Sequence, residues 1–138
     1  MSTTKNRSEC PISSTLDIFG DKWSFLIIRD LMFRKSCTYG DFQKSKEKIA
    51  TNILASRLKA LEENGIINKS PHPESKAKVL YKLTQKGIDL LPILVEINLW
   101  GDKYFGIPEE LESTLNAIKK DKEEFIRSSS EELKAAID

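Results

Sequence analysis

Between residues 49 and 87 the chain reads IATNILASRLKALEENGIINKSPHPESKAKVLYKLTQKG. Ile53, Leu54, Leu58 and Leu61 recur at helical spacing, and Gly65 is placed to end that helix. Ile66 to Lys69 and Lys78 to Leu83 are short runs rich in β-branched and aromatic residues, the signature of two antiparallel strands. The polar segment HPESKAK lies between them, and Thr84 can cap the helix that follows. Helix, strand, turn, strand, helix is the core of a winged helix-turn-helix. The predicted fold class is therefore mainly α with a small β-hairpin, plus an extra C-terminal helical tail.

Upstream, Pro11 suits the start of a first helix, with Leu16, Ile18 and Phe19 available for burial and Gly20 to stop it. Asp21 can cap a second helix, KWSFLIIRDLMF, whose Trp23, Leu26, Ile27, Leu31 and Phe33 predict a broad buried surface. RKSCT reads as a break or short strand. Asp41 and Phe42 fall in a short third helix, and a lysine-rich turn leads to the fourth. Downstream, one long helix is expected from Thr84, kinked at Pro92, which lacks an N–H and crowds the Ile88 carbonyl. Gly106 and Pro108 mark a hinge. Leu111, Leu115, Ile118 and Phe125 then repeat at helical spacing, and SSSEE predicts a break near the end.

Composition places the 138-residue chain, 39% hydrophobic and 31% charged, among soluble globular proteins. No apolar run is long enough to cross a bilayer, and the first residues lack a signal-peptide core, so a cytoplasmic location is expected. Two cysteines make neither a disulfide scaffold nor a metal site. The single histidine, His72, sits in a proline-flanked loop unsuited to a zinc site or a catalytic triad. No phosphate-binding glycine loop or nucleophile–base arrangement stands out, and the reading includes no enzyme, metal or cofactor. The formal net charge of +1 hides an uneven distribution: residues 29–86 carry a net +7 and residues 107–138 a net −4. A positive centre with an acidic tail fits phosphate binding by the centre, and equally fits lysine-rich solvated faces.

The fourth helix bears the candidate chemistry. With its leucines turned inward, Thr51, Asn52, Ala55, Ser56 and Lys59 project outward, and Arg57 lies toward the edge. Asparagine can pair with adenine, threonine and serine can bond bases or phosphates, and alanine can touch a thymine methyl. Alone, this pattern also describes an ordinary amphipathic helix. The hairpin directly after it tips the balance: His72, Lys76 and Lys78 near its tip can reach flanking phosphates or a minor groove and position a protein without reading sequence, although such a tip equally fits an ordinary soluble turn.

Several stretches together resemble the HxlR-type winged helix-turn-helix transcriptional regulators. They are CPISSTLDIFGDKW (10–23), LIIRDL (26–31), TYGDF (38–42), IATNILASRLKALEENGII (49–67), YKLTQKG (81–87) and LLPILVEINLWG (90–101). The resemblance covers most of residues 10–105. It implies a winged helix-turn-helix DNA-binding and dimerisation domain over 10–105, followed by a helical extension over 106–138. It further implies a sequence-specific, homodimeric regulator, with repression the expected mode. The helix at 50–64 would read the major groove of double-stranded DNA, and the segment at 70–80 would form the wing. Ala50 stands where many members carry a serine or threonine cap, a role Thr51 can take over. Lys69 stands where many have arginine, keeping charge but losing bidentate geometry.

Cys10 matches the family's N-terminal Cys-Pro pair, a thiol that senses oxidants or electrophiles in some members and is structural in others. It stands just before a helix start, where the positive end of the helix dipole favours an anion. Leu90, Ile93, Leu94, Ile97, Trp100 and Tyr104 follow helical spacing and either close the monomer core or, as the resemblance implies, build a two-fold interface. A dimer of that kind places two recognition helices roughly 34 Å apart, on a near-palindromic operator. A small-molecule effector is compatible with the reading but unidentified. The competing function is a winged-helix protein–protein interaction module without DNA binding.

Overall fold

The computed structural model describes residues 7–137. The elements run α1 (Pro11–Phe19), α2 (Ser24–Arg34), α3 (Tyr39–Gln43), α4 (Thr51–Glu63), β1 (Ile67–His72), β2 (Ser75–Leu83), α5 (Gln85–Ile88), α6 (Leu91–Phe105), α7 (Glu112–Lys120) and α8 (Lys122–Ile137). They form two compact units, one ending at Gly87 and one beginning at Ile88. The expected domain boundary at 105/106 falls inside the second unit, since α6 groups with the tail.

In the first unit, Ile27, Ile28, Leu31, Phe42, Leu54, Leu58, Leu61, Ile66, Ile67 and Leu83 build the core. Phe33 is not part of it. The buried side of α2 runs through Ser24, Ile27, Ile28 and Leu31, and Phe33 falls off that stripe with most of its surface in solvent. Leu16 and Ile53 are likewise more exposed than their spacing suggests. β1 and β2 pair antiparallel from Ile67↔Leu83 to His72↔Ser75, so both strands run further toward the tip than expected. Cys37 and Tyr81 exchange backbone hydrogen bonds (3.1 and 2.8 Å), adding a single bridge beside the hairpin.

α3 opens on a capping box, Thr38 Oγ1 accepting from the Asp41 N–H and Asp41 accepting from the Thr38 N–H. The turn from α3 to α4 is held by Glu47, which accepts from both Nη atoms of Arg29 at 2.8 and 2.9 Å. Gly65, at φ +75°, ends α4 in the left-handed region, where a Cβ is costly. Thr84 Oγ1 donates to the Gly65 and Ile66 carbonyls and accepts from the Gly87 N–H, tying the end of the hairpin to α5.

In the second unit, α6 packs with α7 and α8, and their buried residues are Leu91, Val95, Leu115, Ile118 and Leu133. Ion pairs Lys119–Asp102 (2.6 Å) and Lys122–Glu96 (2.7 Å) lie along these contacts. Two expectations are corrected here. Pro92 does not kink a continuous helix: α5 stops at Ile88 and Pro92 occupies the first turn of α6, where a missing N–H costs nothing. The SSSEE segment lies within α8, and the break comes instead at Asp121, whose extended backbone (φ −158°, ψ 92°) ends α7. Asp121 then accepts from the Glu124 N–H at 3.1 Å, and Arg127 pairs with Glu124 and Glu131, supporting the helix through the serines.

Gly87 shows why YKLTQKG ends as it does. A Cβ there would overlap the Ile66 carbonyl oxygen and stand 2.8 Å from Leu83 Cδ2, so only glycine lets α5 fold against the hairpin's end. Gly87→Ala is expected to destabilise the protein by about 1–3 kcal/mol, read as a lower midpoint in denaturant unfolding at an unchanged slope.

Candidate nucleic-acid interface

α4 lies on its leucine seam, with Leu54, Leu58 and Leu61 each at most 3% exposed. Thr51, Asn52, Ala55, Ser56 and Lys59 are all exposed on the opposite side. Asn52 and Lys59 thus stand on a helix surface covered by nothing among the described residues. Thr51 does not cap the helix. Ala50 is the N-cap, without a side-chain hydrogen bond, and Thr51 is drawn toward α3 instead. Tyr39 Oη donates to the Thr51 carbonyl at 2.7 Å, and Gln43 Nε2 donates to Thr51 Oγ1 at 3.3 Å. The first N–H groups of α4 are therefore uncapped by any side chain and free to meet an anion.

Arg57 is half-buried and folds along the protein surface. Its Nη1 stands 3.6 Å from Asp21 Oδ1, and its Nη2 donates to Ser56 Oγ at 3.3 Å. Asp21 in turn accepts from the Trp23 and Ser24 N–H groups, both at 2.9 Å, and from Ser24 Oγ at 2.6 Å, so it ties down the turn before α2, whose N-cap is Trp23, without a side-chain cap, and not Asp21 as expected. Burial pushes the Asp21 carboxyl up, but the Ser24 hydroxyl, the two backbone N–H groups and Arg57 outweigh it and hold the group below the usual aspartate value.

The hairpin stands beside α4. Lys76 and Lys78 are exposed near its tip, where Pro73 and Glu74 turn the chain. His72 Nδ1 accepts from the Glu74 N–H at 3.0 Å, so this histidine braces the turn. The strand register shifts here, Pro71 pairing with Val79 and His72 with Ser75, so Lys76 and Lys78 lie in an irregular part of β2 while Lys82 pairs regularly opposite Asn68. Lys82, half-buried further along β2, adds a lysine to the hairpin beyond the two expected near its tip. Between α3, α4 and the hairpin runs an open groove of about 370 Å³, lined by Tyr39, Ala55, Leu58, Lys59, Glu62, Glu63, Lys69 and Tyr81. Lys69 stands 3.9 Å from Glu62, so its charge is partly balanced locally.

The residues predicted for a two-fold interface divide. Ile93, Ile97, Trp100 and Tyr104 are 41–59% exposed and fall at positions i, i+4, i+7 and i+11 of α6, one narrow apolar stripe. The Trp100 and Tyr104 rings sit 5.0 Å apart, with Phe105 5.6 Å from Trp100. Leu94 is half-buried, and Leu90 is buried within the chain and presents little outer surface. In the first unit, Ile12 and Leu16 of α1 are also exposed.

The two thiols differ sharply. Cys10 is exposed and precedes Pro11 at the start of α1, where its N–H donates to Ser8 Oγ. Arg7, near it in sequence, is committed to Asp17. Lys5 lies outside the described residues. Cys37 is wholly buried, and burial, reinforced by Asp30 and Asp41, pushes its thiol up to about 12.

A short helix, a turn, an exposed second helix and an antiparallel hairpin at its side define a winged helix-turn-helix of the DNA-binding class. The comparisons give the family. The model of the HxlR-like helix-turn-helix family matches residues 18–124. YdeP of Bacillus subtilis (strain 168), described as an uncharacterized HTH-type transcriptional regulator, is 33% identical over 111 residues, covering 80% of this chain and 86% of that one. Among solved structures, PA1607, a putative transcription factor, is 45% identical with a TM-score of 0.65, covering 75% of this chain and 70% of that one. The redox regulator HypR in its oxidized form is 28% identical with a TM-score of 0.63, covering 71% and 100%. The chain belongs to the HxlR family and is a DNA-binding transcriptional regulator.

Thiol accessibility is directly measurable. Under native conditions an alkylating reagent is expected to label Cys10 rapidly and to leave Cys37 untouched until the protein is denatured. Equal native labelling of both, followed by peptide mass analysis, would contradict the burial of Cys37.

Proposed function

We propose that this regulator binds a near-palindromic operator as a homodimer, with α4 in the major groove and the hairpin on the flanking backbone. The observation that carries the reading is the uncovered polar face of α4. Asn52, Ala55 and Ser56 are of the types that read base edges, and Lys59 suits base edges or phosphate. Thr51, held by Gln43, presents its remaining hydroxyl capacity at the helix N-terminus. Lys76 and Lys78 serve the backbone, and Arg57 adds a guanidinium at the edge of α4. In this reading the protein is a repressor working in the cytoplasm, with no catalytic role and no cofactor. Any small-molecule effector is left unassigned.

The α6 stripe supports the dimer. Ile93, Ile97, Trp100 and Tyr104 repeat as the a and d positions of a coiled-coil seam, while the other side of α6 packs on α7 and α8. A second copy supplies a like stripe, and a two-fold axis makes the two self-complementary. Cys10 carries a second reading, as a thiol that couples oxidation to DNA binding. Its exposure supports this, and the redox regulator HypR is a relative of the same fold. Cys37, buried with its thiol pushed up, is unsuited to that role.

Two mutations test the DNA face in fluorescence anisotropy on duplexes selected by the protein. Asn52→Ala is expected to lose about 1–3 kcal/mol of preference for the selected sequence while binding unrelated duplexes almost as before. Lys76→Ala is expected to weaken all duplexes alike and to flatten the salt dependence by about one phosphate. An unchanged sequence preference in Asn52→Ala would remove α4 from the reading role. For the seam, Trp100→Glu is expected to shift the protein from dimer to monomer in sedimentation, because it buries a charge without a partner. A variant that sediments as the wild type would exclude this stripe.

A further inference from the structure

Arg57 is the one arginine on α4 and has two partners among the described residues, neither of them tight. The Asp21 contact, at 3.6 Å, is an ion pair without a hydrogen bond, and the Ser56 bond is long for its type. The Asp21 side chain is 25% exposed and that of Arg57 32%, so water and salt reach the pair. The Asp21 carboxylate, by contrast, is firmly held. Oδ2 takes the backbone N–H groups of Trp23 and Ser24 at the start of α2, and Oδ1 takes the hydroxyl of Ser24, which is itself buried. A fixed anion thus faces a loosely held cation at the edge of the helix proposed to enter the groove.

We propose that Asp21 restrains Arg57, acting as a positioning residue that limits sequence-independent binding; this rests on the DNA-binding reading above. In the free protein the carboxylate draws the guanidinium back along the surface shared by α2 and α4. A DNA phosphate competes with Asp21 for the same Nη atoms, and a planar, bidentate guanidinium is well suited to that acceptor. Because the phosphate must displace a carboxylate, the gain from this contact on any duplex is small. Base contacts by the neighbouring residues then weigh more in the total. The same release frees Ser56 Oγ, which stops accepting from Arg57 and becomes available beside Asn52 and Ala55.

Asp21→Asn tests this, since its amide oxygen can still accept from the Trp23 and Ser24 N–H groups and only the bond with the Ser24 hydroxyl has to be remade, with Ser24 Oγ as acceptor. Binding to an arbitrary 30-base-pair duplex is followed by anisotropy across a salt series for the wild type, Asp21→Asn, Arg57→Gln and the double variant, with thermal melts confirming folding. Asp21→Asn is expected to tighten binding several-fold and to steepen the slope of log K against log salt by about 0.9. Arg57→Gln and the double variant are expected to share one shallower slope, since nothing is left to restrain. If Asp21→Asn strengthens binding equally with and without Arg57, the effect is general charge and the proposal falls. If Asp21→Asn weakens binding, Asp21 aims Arg57 at the phosphate rather than holding it back, and the proposal also falls. A folded wild type that binds no duplex at low salt overturns the DNA-binding reading itself, a result distinct from either.

Discussion

Leu54, Leu58 and Leu61 fix how α4 is turned about its own axis, and every property of the candidate interface follows from that rotation. Each is at most 3% exposed. Burying a leucine contributes roughly 1.5–3 kcal/mol, so rolling α4 by one position would bring apolar side chains into water and take polar ones out of it. The neighbouring elements keep the helix from sliding along that axis. Arg29 grips the turn before α4 through Glu47, and Tyr39 grips its first residue through the Thr51 carbonyl. At the other end Gly65 turns the chain sharply enough for β1 to start beside α4. Thr84 and Gly87 close the hairpin onto the same corner. The helix is held at both ends and along one side, leaving a single face for another molecule.

The second unit meets the same problem with a different outcome. α6 is apolar around much of its circumference, and α7 and α8 cover part of it. What remains is narrower than the surface a core-facing helix presents, and it matches the spacing of a seam between two like helices. Aromatic side chains dominate its C-terminal half, where Trp100, Tyr104 and Phe105 lie close together. Large, rigid side chains of this kind lose little conformational freedom when a partner covers them, which suits them to an interface more than to water.

How much of this was legible in the sequence depended on whether the deciding interaction was local. The leucine seam, the glycine stop and the two strand runs are set by residues within one or two turns of each other, and they read correctly. Asp21 was placed correctly at the start of α2, although the helix begins two residues later than expected and Trp23 is its N-cap. The rotation of α2 was harder: Phe33 follows an apolar run, yet only the packing of Ile27, Ile28 and Leu31 shows that it falls outside. Pro92 posed a choice between bending a helix and starting one. That choice turns on where α5 stops, which Thr84 and Gly87 settle by their grip on the hairpin's end. The serines of α8 favour a break by propensity, but Asp121 caps the helix ahead of them and Arg127 pairs across them. The partner of Thr51 was invisible because Gln43 and Tyr39 reach it from another helix.

Charge gives the DNA reading its remaining constraint. Each chain places Arg57, Lys59, Lys76 and Lys78 around the proposed interface, and Lys82 further along the same strand. Specific complexes commonly neutralise about 6–10 phosphates, more than one such set supplies, and one of its members is already drawn toward Asp21. Glu62 and Glu63 line the adjoining groove and reduce the local field further. On the proposed reading a single protomer is therefore short of charge for tight binding, whereas two protomers on a two-fold axis would reach that range together. The modest net charge of +1 and the unpartnered stripe on α6 become parts of one arrangement. In the proposed dimer, electrostatic attraction would be spread over two copies, and discrimination would be left to the short polar side chains that the leucine seam turns outward.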